Sequence, residues 1–176
     1  MHDAAADSTI RRALDEIDAE YQQTEPGHYL VRLPGEHRLA TMCWLIAAEQ
    51  ALRIEAFVLR APVAADGDIA ALHRELLRRN ARLFGICYSI DRVGDIFLTG
   101  RWPLSALGTE EIDRLLGLVL AEADGAFDEL LRIGYADAIR REFRWRRARG
   151  ESLANLRRFE SITGPPGPLP APESPG

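Results

Sequence analysis

The stretch YLVRLPGEHRLATMCWLIAAEQALRIEAFVL, from Tyr29 to Leu59, carries three apolar runs separated by two sets of turn residues. In the first run Tyr29, Val31 and Leu33 alternate with Arg32, the period of two that marks a strand. Pro34-Gly35-Glu36-His37 then supplies turn chemistry, residues 39 to 48 form a long apolar strand, and Glu49-Gln50 leads into a third strand, Leu52 to Leu59. Short turns between successive strands imply antiparallel pairing, so the stretch predicts a three-stranded meander.

The second and third runs are apolar on both faces. Cys43 and Leu45 oppose Met42, Trp44 and Ile46, while Ile54 and Val58 oppose Phe57 and Leu59. A sheet with one covered face alternates cleanly between apolar and polar. The second face is therefore expected to lie under the C-terminal helices or a second subunit.

Working outward, Ile10, Leu14, Ile17 and Tyr21 recur at helical spacing and predict a first amphipathic helix over residues 9 to 22, capped by Asp7 or Ser8. Gln22 to His28, with Pro26-Gly27, reads as a loop. After the meander, Asp66 or Asp68 caps a helix whose Ile69, Leu72, Leu76 and Leu83 face inward and which stops at Gly85. Ile86, Tyr88 and Ile90 alternate as a fourth strand, Asp91-Arg92-Val93-Gly94 makes a tight turn, and Ile96 to Thr99 returns as a fifth. Thr109 caps a long helical segment with Ile112, Leu115, Leu116, Val119, Leu120, Phe127, Leu130 and Leu131 inward, marked by Gly125 and Gly134 as places for a break. A further helix runs from Tyr135 to Ala148, and a short one carries Leu153, Leu156 and Phe159. The expected organisation is a flexible N-terminus over residues 1 to 8, a single α+β domain over 9 to 162, and a disordered Pro/Gly-rich tail over 163 to 176.

At 176 residues the chain can bury a core without metals or disulfides. No window approaches the length of a membrane span, and the acidic, Ala-rich start lacks the pattern of a secretory signal, so the expected compartment is the cytoplasm. All 22 basic side chains are Arg, the net charge is −5, and such a balance speaks against nucleic-acid wrapping through a global field. Cys43 and Cys87 stand alone in apolar runs and read as reduced core residues.

The residues offer little that could carry catalysis. His2, His28, His37 and His73 have no ligand spacing between them, and no metal or other cofactor is expected. The absence of Lys removes the phosphate-loop lysine, and Ser89 and Ser105 lack a nucleophile elbow. Asp91 and Asp95 are brought close by the predicted hairpin, but an Asp at the head of a turn is there first for its bonds to backbone. The segment Ile139 to Arg149 holds six arginines and one acid. On a helix Arg140, Arg144 and Arg147 form one outer row, with Trp145 between Arg141 and Arg149 on another. Guanidinium groups beside an indole can grip carboxylates or phosphates, so Arg140, Arg141, Arg144, Trp145 and Arg147 are the candidate partner-binding residues. A solvated face whose arginines pair with neighbouring acids is the plainer structural reading.

Leu33 to His37, Phe57 to Arg60, Arg78 to Gly85 with Asn80, Asp91 to Leu98, and the run from Glu111 through Arg149 resemble the YbjN-type domain proteins of high-GC Gram-positive bacteria. Their fold is similar to that of type III secretion chaperones. The resemblance spans roughly residues 29 to 159 and implies an α-βββ-α-ββ-α domain with an antiparallel five-stranded sheet packed by helices, here with extra C-terminal helices. It supplies no catalytic set. It implies a non-enzymatic, protein-binding, chaperone-like or regulatory adaptor, homodimeric, with a protein client. The alternatives are a small-anion or nucleotide sensor using the arginine patch and, third, an unrecognised hydrolase.

Overall fold

A computed structural model describes residues 4–164, so His2 and the expected tail from 165 on lie outside the described residues. The chain groups into two compact units, one built from residues up to 61 and from 74 to 127, the other from 62 to 73 and from 128 onward.

The first unit holds α1 (Ala4–Glu16), β1 (Glu20–Glu25), β2 (His28–Pro34), β3 (Ala40–Ala47) and β4 (Ala51–Leu59), followed by the end of α2 (Ile69–Asn80). β5 (Ile86–Ile90), β6 (Ile96–Pro103) and α3 (Thr109–Gly125) complete it. The six strands form one antiparallel sheet in the order β1-β2-β3-β4-β6-β5. α3 packs across β2, β3, β4 and β5, and α1 packs against α3. The covered face is built from Tyr29, Val31, Cys43, Leu45, Ile54 and Leu98, all essentially out of solvent, against Ile10, Leu14, Ile112 and Leu115. Full burial of such a side chain contributes about 1.5–3 kcal/mol, which is why this face and not the other sets the register.

The sheet has six strands where the sequence pattern predicted five. The additional strand, β1, reads Glu-Tyr-Gln-Gln-Thr-Glu with mostly exposed side chains on both faces, so an edge strand of this composition leaves no apolar alternation to detect. The first helix also stops earlier than its apolar spacing suggests. Asp18 takes φ 52, and Ala19 donates back to the Leu14 carbonyl, closing the helix before Tyr21. Tyr21 instead meets Tyr29 edge-on across β1 and β2, ring centroids 5.7 Å apart. Asp7 is inside α1 and accepts the Tyr29 hydroxyl at 2.6 Å and the Gly27 N–H at 2.8 Å, so it ties the helix to the β1–β2 turn and caps nothing. Gly108, not Thr109, is the N-cap of α3; the Thr109 hydroxyl donates to Glu16.

In the second unit the loop over residues 62–68 holds the start of α5 (Ala136–Arg149). The Asp66 carbonyl accepts the N–H groups of Asp137 and Ala138, two donors that a helix N-terminus otherwise leaves unsatisfied. Asp68 accepts the Ala71 N–H at 2.8 Å and so caps α2. α4 (Phe127–Gly134) ends where the backbone comes close: a Cβ on Gly134 would lie 2.7 Å from a Leu72 methyl. α5 ends at Gly150, whose φ of 67 is the left-handed cap that glycine adopts without penalty. A 3-10 segment (Ala154–Phe159) and α6 (Glu160–Thr163) then pack on α5, with Phe159 buried beneath the guanidinium groups of Arg132 and Arg158.

Candidate partner-binding surfaces

The second face of the sheet is open. Leu30, Met42, Trp44, Ile46, Phe57 and Phe97 point to it and none is fully buried; Met42 is 40% exposed. Strand register pairs some of them directly and sets charged residues against others, Glu55 opposite Trp44 and Arg53 opposite Ile46. Leu30 sits opposite Trp44, and Phe57 opposite Phe97 with ring centroids 5.5 Å apart in an edge-to-face contact. The two-sided apolar pattern of β3 and β4 is thus matched by an apolar surface that stays partly exposed.

Beside the patch the same face turns polar. Arg53 on β4 is directly opposite Arg101 on β6, Glu55 is opposite Thr99, and Cys87 on β5 is opposite Thr99 from the other side. Thr99 donates to the Ser89 hydroxyl at 3.2 Å, and the Cys87 sulfur lies 3.8 Å from the Thr99 oxygen. Cys87 is therefore an exposed residue of the open face, contrary to the core placement its apolar run suggested. Gly85 contributes no side chain, and with Arg53, Glu55, Cys87, Thr99 and Arg101 it lines a shallow depression of about 510 Å³. Arg53 comes within 3.7 Å of Glu55, while the Arg101 side chain forms neither a hydrogen bond nor an ion pair among the described residues.

The arginine helix is more occupied than its composition implies. Arg140 bonds Asp137 at 2.8 Å and the Ile162 carbonyl at 3.2 Å; Arg141 bonds Asp66 at 2.7 Å and the Ala65 carbonyl; Arg146 pairs with Glu142. Arg147 is half-buried and likewise engaged. Arg144 is exposed and makes no such bond among the described residues. Trp145 is 44% exposed with the Arg149 guanidinium 4.5 Å above its ring, so the indole and cation do stack as their spacing predicts.

The remaining polar groups of note serve the backbone. Asp91 accepts the N–H groups of Val93 and Asp95 at 2.9 Å, and Asp95 accepts the Ala61 N–H at 2.7 Å, so the carboxylate pair builds the hairpin. Asn80 donates to the Tyr88 carbonyl and accepts the Tyr88 N–H, continuing the ladder at the free edge of β5. Burial pushes the Cys43 thiol up to about 12 and the Tyr88 phenol above its ordinary range, the latter reinforced by Glu122. No group of three or more metal-ligating side chains occurs among the described residues, and no helix there is long and apolar enough to cross a membrane.

A family model described as "Putative bacterial sensory transduction regulator" matches residues 6–132. An uncharacterized protein of Mycobacterium tuberculosis is 43% identical over 158 residues, covering 87% of this chain and 85% of its own. One from Mycobacterium leprae is 45% identical over 133 residues, covering 76% and 71%. Among solved structures, the ExsC–ExsE complex aligns with TM-score 0.52 at 17% identity over 74% of this chain and 97% of that one. The Yersinia pestis type III secretion chaperone SycH, in complex with a fragment of YscM2, aligns with TM-score 0.48 at 17% identity over 67% and 96%. Over the aligned span the mixed helix and antiparallel-sheet fold is similar to that of the ExsC–ExsE structure.

Proposed function

The chain belongs to the YbjN family, and from that premise we propose that it is a non-enzymatic protein-binding adaptor, chaperone-like or regulatory, acting as a homodimer in the cytoplasm. The open sheet face carries this reading. Contiguous exposed apolar patches of several large side chains are uncommon on proteins that work alone and mark surfaces used for association. Here the apolar side chains are carried on hydrogen-bonded strands of one sheet and point to one face. The fold adds support by analogy, since the ExsC–ExsE structure is itself a complex of two proteins.

Co-purification from native lysate of the chain's source tests the reading when wild type is compared with a Met42→Ser/Trp44→Ser variant whose circular dichroism is unchanged. A defined protein retained by the wild type and lost by the variant supports it; an identical set retained by both refutes it. Light scattering at micromolar concentration tests the dimer, and a mass of one 19.6 kDa chain would remove that part.

Small-anion or nucleotide sensing by α5 is the second reading. Arg144, without a side-chain partner among the described residues, and the Arg149–Trp145 stack favour it, whereas the intrachain bonds of Arg140, Arg141 and Arg146 reduce the charge left to offer. An anion retained in native mass spectrometry and lost on Arg144→Gln would support it.

A further inference from the structure

We infer that the depression bounded by Arg53 and Arg101 takes a carboxylate side chain of the bound protein segment, and that the adjoining Phe57–Phe97 pair takes an apolar side chain of the same segment. The inference rests on the adaptor reading and specifies the partner's chemistry: an extended, acidic and apolar stretch.

Like charges placed directly opposite on neighbouring strands oppose pairing, yet Arg53 and Arg101 face each other at one register position of β4 and β6. The nearest carboxylate, Glu55, reaches only Arg53, at 3.7 Å, and leaves Arg101 without an ion partner among the described residues. Arg32, the remaining arginine of this face, is already matched by Glu20 at 2.8 Å. One positive charge thus stands uncompensated in a concave site, on a chain whose net charge is −5. Two planar guanidinium groups on adjacent strands suit a carboxylate that accepts from both. Thr99 and Cys87 line the neighbouring floor with a hydroxyl and a thiol that tolerate a polar backbone.

Register then sets the spacing. Along β4 the open face reads Arg53, Glu55, Phe57, and along β6 it reads Arg101, Thr99, Phe97. Four residues separate the arginine pair from the phenylalanine pair, about 13 Å at a strand rise of about 3.3 Å per residue. An extended partner segment with an acid at one position and a large apolar residue four positions away reaches both. A basic or hydroxyl residue midway suits Glu55, and a second acid there does not.

The probe is a labelled, capped peptide with Glu and Phe four positions apart and Thr midway, followed by fluorescence anisotropy. Its counterparts carry Lys in place of Glu, or Ser in place of Phe. The expected result is binding of the Glu/Phe peptide at least tenfold tighter than either counterpart, weakened at least tenfold by Arg53→Gln/Arg101→Gln and by raising salt from about 50 to about 500 mM. Arg101→Gln alone gives a second readout should the double variant lose structure. Equal binding of Glu and Lys peptides, indifference to the arginine substitutions, or no binding of the Glu/Phe peptide at millimolar concentration each overturns the inference. Co-purification lost on Met42→Ser/Trp44→Ser would still stand in that event, so failure of this inference is separable from failure of the adaptor reading.

Discussion

Asp124 on α3 and Gly35 in the β2–β3 turn fit so closely that a Cβ on Gly35 would lie 2.1 Å from the Asp124 Oδ1 and 2.8 Å from the Arg38 carbonyl oxygen. The contact exists because the Asp124 carboxylate accepts the backbone N–H groups of Glu36, His37 and Arg38 at 2.9–3.2 Å. A helix side chain thus supplies the partners that this turn does not find in its own backbone, and it fixes α3 over the covered face. Burial acts to raise the Asp124 carboxyl, but the three N–H donors and nearby His37 outweigh it and hold the group below the ordinary carboxylate range.

Replacing Asp124 with Asn is expected to lower stability by about 1.5–3 kcal/mol, the range for hydrogen bonds to a charged group. Gly35→Ala is expected to cost about 1–3 kcal/mol by overpacking. Because the folded-state value of Asp124 is depressed, its contribution is fully present above the unfolded value near pH 3.9 and is lost as pH falls through the folded value. Urea melts from pH 7 downward should therefore show wild type and Asp124→Asn converging in acid. A constant gap across that range would show that the carboxylate's charge is not what holds the turn.

Asn80 guards the edge of β5 through both of its bonds to Tyr88. Asn80→Ala should cost about 1–2 kcal/mol and leave a strand edge able to pair with another chain. Light scattering during storage reads the second effect. A variant as stable and as monodisperse as wild type would show that the edge needs no such cover.

The two cysteines should react very differently. Cys87 is exposed on the open face, while Cys43 is fully buried with its thiol pushed up to about 12. In native protein at pH 8 a thiol reagent should modify one cysteine quickly and the second only on unfolding. Fast modification of both would mean that β3 opens far more readily than its burial implies.

On α5, Arg141→Gln should cost up to about 1 kcal/mol, since it frees the loop carboxylate of Asp66, whereas Arg144→Gln should change stability by less than about 0.5 kcal/mol. Thermal melts separate the two. If Arg144→Gln also weakens co-purification of a partner, the arginine helix joins the binding surface.

Much of this architecture is legible in the sequence because burial writes a period. β2, β3, β4, β5 and β6 each bury alternate side chains, and their spacing announces them. β1 is silent because four of its six side chains are exposed and Tyr21 is the one large apolar residue it turns toward the core. The turn at Pro34 to His37 is visible, but its partner Asp124 is not, since a lone acid on a helix 86 to 88 residues away carries no local signal. The apolar second face of β3 and β4 is also visible, and Trp44 and Phe57 indeed remain only half-buried. The Arg53–Arg101 pairing was missed: β6 extends four residues beyond the predicted Thr99, and cross-strand register depends on how strands far apart in the chain align. A like-charge pair across two strands would have been findable only once that register was known.

A photo-crosslinking residue placed on the open face reports whether that face meets the partner. Installed at Met42, which is 40% exposed on that face, it should give one discrete protein adduct in the native cell. Installed at Asp113, exposed on α3, it should give none. Adducts of equal yield from both positions, or an adduct from Asp113 alone, would contradict the account.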